Sequence, residues 1–170
     1  MILAKNLENL GTESAFSVLA EAKALEAKGH PMIHLGLGQP DFKTPKHVVE
    51  AAKKALDDGH HGYVMSNGIP ECREAVTRWI KKQYNANVDP ERILIMPGGK
   101  PTMSYAIQCF GEPGAEIIHP TPAFPIYESM INYTGSTPVP YDLTEDKDLK
   151  FDPDKILSLI TDKTRFLILI

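Results

Sequence analysis

The last five residues, Phe166, Leu167, Ile168, Leu169 and Ile170, are apolar without interruption. A strand with one face in water alternates polar and apolar residues. An unbroken run predicts a strand buried on both faces, as in a parallel sheet sandwiched between helices. Such a sheet brings ligands to the carboxyl ends of its strands. It also requires strands and helices to alternate along the chain, and the second half does so. "RILIMP" (92–97) and "AEIIHP" (115–120) read as buried strands. "TPVPY" (137–141) reads as a strand whose prolines put it at an exposed position. Between them lie helical patterns: Met103, Ala106, Ile107 and Phe110 in 101–110, a stretch through Tyr127, Met130 and Ile131, and Ile156, Leu157 and Ile160 after an Asp152-Pro153 cap. The expected fold is α/β: a three-layer α/β/α arrangement with a mostly parallel sheet.

The first half is patterned differently. Thr12 to Lys28 predicts a helix with Phe16, Leu19, Ala20 and Ala24 in one stripe and Gly29 as its stop. "PMIHLGLGQPDFKTP" gives a short strand and then a loop of glycines and prolines. Thr44 caps a helix with Pro45 at its first position, and Val48, Val49, Ala52 and Leu56 form its face for burial. The loop "HHGYVMSNGIP" (60–70) leads to a helix with Cys72, Ala75, Val76, Trp79 and Ile80 at helical spacing. Residues 1–44 read as an arm or minor-domain segment, and 45–170 as the main α/β portion.

Composition narrows the function classes. With 42% hydrophobic and 24% charged residues among 170, this is an ordinary globular chain. A formal net charge of -4 offers no basic face for nucleic acid. Cys72 and Cys109 form no CxxC pair and are expected as buried, reduced thiols. The adjacent His60 and His61 cannot easily aim both rings at one metal, so no metal is expected. No segment reads as a signal peptide or a membrane span, which predicts a soluble, cytoplasmic protein.

Local chemistry concentrates in "ILIMPGGKPT" (93–102). A strand ends in two glycines and a helix begins at once, so free N–H groups and the helix dipole can meet an anion. Leu94 stands where a Walker A loop has its first glycine, and an ordinary tight turn would leave the same pattern. "GLGQPD" (36–41) fails as a dinucleotide fingerprint because Asp41 replaces the third glycine. Phe124, just after "AEIIHP", suits either a core position or a platform for a planar ligand. Tyr63 could donate its hydroxyl to a phosphate or be a plain loop residue.

Taken in order, "LGLGQPDFKTP" (35–45), "YVMSNGIPECREAV" (63–76), "IMPGGKPTM" (95–103) and "PTPAFPIYESM" (120–130) resemble the N-terminal half of fold-type I, pyridoxal-phosphate-dependent aminotransferases of the aspartate aminotransferase (class I/II) family. The resemblance implies transamination between an amino acid and a 2-oxo acid, with pyridoxal 5'-phosphate as cofactor. By the same resemblance, Gly38 meets the substrate carboxylate with its backbone. Gly99 and Lys100 hold the cofactor phosphate, and Phe124 stacks on the pyridine ring. Tyr63 reaches the phosphate of a neighbouring subunit, which implies a homodimer with shared sites. Family members run well over twice this length and continue from a strand like "RFLILI" into an Asn-x-Pro-x-Asn-Pro-Thr-Gly loop. The family's Schiff-base lysine has no counterpart in these 170 residues, and Lys100 matches the phosphate turn instead. The chain is therefore expected to be an N-terminal portion without turnover of its own. Two other readings stand beside this one: a non-enzymatic domain binding a phosphate ligand, and an interaction subunit paired with a second chain.

Overall fold

A computed structural model describes residues 2–11, 15–145 and 148–170. They form two compact units, one of Met1–Val18 with Gly98–Ile170, the other of Leu19–Pro97.

Helix α1 (Ala15–Glu26) spans the division at Val18, and the Leu19–Pro97 unit continues with α2 (Lys46–Asp57) and α3 (Pro70–Tyr84). The helix expected from Thr12 is thus described from Ala15; Thr12 and the Phe16 side chain lie outside the described residues. Gly29 ends the α1 segment at φ +88°. Helix α2 starts one residue later than expected, with Pro45 as its N-cap and no side-chain acceptor there. Its apolar face is open: Val48, Val49 and Leu56 are all exposed, because no element among the described residues packs extensively on α2. Helix α3 has proline in its first turn and ends at Asn85, whose φ of 52° is left-handed.

The two strands expected in this unit do not form. Residues 31–35 have no regular structure, Pro90–Arg92 is a 3-10 turn, and 93–97 carry no ladder. A strand needs a neighbour to satisfy its N–H and C=O groups. Here Ile95 donates one backbone bond, 3.1 Å, to the Asn67 carbonyl. Gly68 (φ +98°) lies directly under Ile95, where an added Cβ would come 2.6 Å from Ile95 Cγ1.

A buried cation organises this corner. Arg73 is 3% exposed. Its Nε donates to the Gly68 carbonyl (3.2 Å), and its Nη1 to the Pro90 carbonyl (3.1 Å) and Glu91 Oε1 (2.8 Å). One guanidinium therefore ties the start of α3 to the turns on either side of it.

The other unit is built on a parallel sheet. Helix α4 (Gly99–Phe110) leads to β1 (Glu116–Thr121), then α5 (Ile126–Thr134), β2 (Thr137–Asp142), α6 (Pro153–Ser158) and β3 (Thr164–Leu167). The strand order is β2-β1-β3, and both pairings are parallel. Ile117 joins Ile107 of α4, Tyr127 and Ile131 of α5, and Ile168 on one face. Ile118 joins Tyr141 and Ile156 of α6 on the other. These are the three α/β/α layers that alternation predicts. Asp152 caps α6 as expected, accepting from the N–H groups of Asp154 and Lys155.

Two-sided burial belongs to β1, whose Ile117, Ile118, His119 and Pro120 are all buried, rather than to the terminal run. Strand β3 lies at a sheet edge. Phe166 is half-buried and Ile168 buried, while Leu167, Leu169 and Ile170 are exposed. The register slips between Glu116 and Ile117, which pair with Thr164 and Phe166, so Arg165 is the extra residue. The proline-bearing β2 lies at the opposite edge, as its sequence predicts. Leu157 and Ile160 of the α6 stripe are exposed. The thiols are free but not deeply buried: Cys72 is half-buried and Cys109 exposed, because each sits off the packed stripe of its helix.

Replacing Arg73 with methionine removes a charge-assisted donor from two carbonyls. The expected loss is about 2–3 kcal/mol in urea unfolding. Glu91→Gln should cost under about 1 kcal/mol, because that carboxylate is 73% exposed.

Tyr141 supplies a pH signature. It is buried, and its hydroxyl donates to the Ile168 carbonyl at 2.9 Å. Burial raises its pKa above the usual 10.0, and Tyr127 nearby adds to the effect. The folded state thus holds this proton more tightly than the unfolded chain does. Its contribution is complete below pH about 10 and is lost as pH rises through the raised folded value. Tyr141→Phe should lower stability by about 1 kcal/mol at neutral pH and flatten the loss above pH about 10, read from melting temperature against pH.

Candidate functional site

The sequence Pro97-Gly98-Gly99-Lys100-Pro101 dictates how α4 begins. Gly98 is its N-cap at φ 103°, ψ 160°, backbone that only glycine adopts without strain. Pro101 fits the first turn because its missing N–H would have had no partner inside the helix. Thr102 Oγ1 donates back to the Gly98 carbonyl at 3.2 Å. Gly98 offers no side-chain acceptor to the first-turn N–H groups. The positive end of α4 is thus uncapped by its own N-cap, the arrangement in which a helix start receives an anion.

Phe124 follows the carboxyl end of β1. Its ring stands edge-on to Tyr127, centroids 6.3 Å apart at 90°. The Lys100 ammonium nitrogen lies 5.4 Å from the centre of the same ring. That contact brings the first turn of α4 to the carboxyl end of β1. Phe124 is half-buried against the α4–α5 core, so it packs there while part of it stays exposed.

Gly99, Lys100 and Phe124 are therefore gathered in one unit. Gly38 and Tyr63 belong to the other: each is on an exposed loop, and no heavy atom lies within 4 Å of where a Gly38 Cβ would stand. Among the described residues no group of three or more His, Cys, Asp or Glu side chains could hold a metal ion. No helix among them is long and apolar enough to cross a membrane. Sequence reading missed two partners of Phe124, the Lys100 side chain and the ring of Tyr127. The second had a visible signal, an aromatic pair three residues apart across a helix start.

Comparison with known proteins decides the family. The family model for class I and II aminotransferases matches residues 30–170. The chain belongs to that family. It is 31% identical over 169 residues to the aspartate aminotransferase of Bacillus subtilis, covering 99% of this chain and 43% of that protein. To the aspartate aminotransferase of Pyrococcus horikoshii it is 38% identical over 143 residues, 84% of this chain and 37% of that one. The solved structure of Thermus thermophilus aspartate aminotransferase with maleate superposes with a TM-score of 0.91 at 30% identity, over 99% of this chain and 44% of the other. The chain thus spans a little over two fifths of the length of such relatives.

Class I and II aminotransferases work with pyridoxal 5'-phosphate, and the residues here fit such a group. An uncapped helix start suits a phosphate dianion, and the Lys100 ammonium adds a positive charge. The Phe124 ring offers a flat apolar face to a pyridine ring.

The two glycines of the turn should respond differently to substitution. Gly98→Ala forces a side chain into φ 103° and should cost about 1–3 kcal/mol in denaturant unfolding. Gly99→Ala should leave stability within about 1 kcal/mol, because its Cβ would meet only Met103 Cε at an ordinary 3.7 Å.

Proposed function

We propose that this chain is the N-terminal portion of a pyridoxal-phosphate-dependent aminotransferase that moves an amino group between an amino acid and a 2-oxo acid. The observation that carries the proposal is the uncapped Gly98-Gly99-Lys100 helix start held beside Phe124 at the carboxyl end of β1.

The backbone N–H groups of Gly99 and Lys100, with the α4 dipole, hold the cofactor phosphate. Phe124 stacks on the pyridine ring and orients it. The bound cofactor supplies a carbonyl to receive the amino group and an electron-withdrawing ring. Gly38 presents its backbone to the substrate carboxylate. Tyr63 donates its hydroxyl to the phosphate in a second copy of the protein, which makes the working form a homodimer with shared sites. In the longer protein, residues 1–44 form the N-terminal arm and part of the small domain. Residues 45–170 open the cofactor-binding large domain. No residue of this chain takes the part of the cofactor-binding lysine, and the protein works in the cytoplasm. Aspartate is the donor favoured by the relatives named for it.

The test is expression of the protein at the length of its relatives, followed by assay of amino transfer from aspartate to 2-oxoglutarate. Exchange dependent on pyridoxal 5'-phosphate is expected, together with none from the 170-residue chain alone. Failure of the longer protein to retain the cofactor or to exchange any amino acid would overturn the reading. Turnover by the 170 residues alone would overturn the view that the essential lysine lies outside them.

A further inference from the structure

We propose that the Lys100 side chain is a positioning residue. Its ammonium group fixes the plane of the Phe124 ring and so prepares the stacking surface before a pyridine ring arrives. The inference rests on the cofactor reading above and deepens it. It assigns work to the Lys100 side chain separate from that of the Lys100 backbone.

Phe124 lies in the connection between β1 and α5, where the backbone alone leaves a ring free to turn about its side-chain bonds. Two contacts constrain it. The edge-on contact with buried Tyr127 holds it from the α5 side, at 6.3 Å and 90°. The Lys100 ammonium, 5.4 Å from the ring centre, holds it from α4. A cation is drawn to the electron-rich face of an aromatic ring at such distances. Lys100 reaches the ring from the second residue of α4, so the contact locks the ring to the element that would bind the phosphate. A ligand with an anionic tail and a flat ring, joined rigidly, needs its two receptors at a fixed separation. Freezing that separation before binding removes an ordering cost from the binding step.

A bare charge effect is the competing explanation, since any ammonium near a phosphate strengthens binding. A double-mutant cycle separates the two, because charge attraction persists whatever stands at position 124 while ring positioning does not. The probe is pyridoxine 5'-phosphate, which has phosphate and ring but no aldehyde, so no condensation with amines intervenes. Its dissociation constant is measured by calorimetry on the full-length protein and on its Lys100→Met, Phe124→Leu and doubly substituted forms. Lys100→Met is expected to weaken binding more when Phe124 is present than when leucine replaces it, by a ratio of about two to five. Phe124→Met gives a second ringless background in which the same smaller loss is expected, which covers the case of a poorly folded leucine variant. An equal loss in the aromatic and leucine backgrounds would overturn the inference while leaving the cofactor reading intact. Absence of pyridoxine 5'-phosphate binding by the unsubstituted protein would overturn both.

Discussion

Strand β1 is the element on which its unit depends. It pairs with β2 from Glu116 to Thr121 and with β3 over Glu116–Ile118, so the ladder groups it shares with them are satisfied without water. Its side chains point alternately into two cores, Ile117 toward α4 and α5 and Ile118 toward α6. A one-residue shift of the whole strand would exchange the contents of the two cores, which opposes any such shift beyond the local bulge at Arg165. The carboxyl end of β1 is thereby fixed relative to α4, and with it the distance between the Gly98-Gly99 turn and Phe124. The candidate site inherits its geometry from this strand rather than from the loops that carry its residues.

The outer elements are bound less completely. Leu167, Leu169 and Ile170 are exposed, and a groove of about 340 Å³ beside them is lined by Met103, Ile107, Phe166 and Ile168. Phe110 stacks on Phe166 at 5.3 Å and 11° yet is itself half in solvent. Apolar surface left open in this way favours association with further protein.

Much of the α/β portion was legible in the sequence because its signals are local. Helical spacing marked α4, α5 and α6, prolines marked β2 as an edge, and "AEIIHP" marked β1 as a buried strand, while the unbroken apolar run at 166–170 pointed to a two-sided burial that β3 does not have. The failures share a different cause. Residues 92–97 have the composition of a strand, but a ladder is made by two segments and no partner pairs with them among the described residues. The α2 pattern says which face would be buried, and Val48 and Leu56 show that it does not say whether anything covers that face. Arg73 was invisible for the opposite reason. Between Cys72 and Glu74 on a helix it reads as a solvated charge, and only the return of the chain at Pro90 and Glu91 buries it. In the site, Gly98, Gly99 and Lys100 were legible from their own run, while the contact of Lys100 with Phe124 required α4 and the β1–α5 connection to be placed together.

An uncapped helix start is weak evidence taken alone. Helices α2, α3 and α5 also begin without a side-chain cap, at Pro45, Ile69 and Pro125. Among the described residues Asp152 caps α6 with its side chain, as Asp89 caps the Pro90–Arg92 turn, a device worth about 1 kcal/mol. At α4 that device is closed off by the backbone itself, since φ 103° at Gly98 would strain an aspartate or serine in its place. The fold therefore forgoes a cap at the same helix end where it sets a lysine ammonium and an aromatic face 5.4 Å apart. An anion attached to a flat ring would meet here a helix start without a side-chain cap, a positive charge and an aromatic ring, at Gly99, Lys100 and Phe124, and it is this coincidence rather than the missing cap that sets α4 apart from α2, α3 and α5.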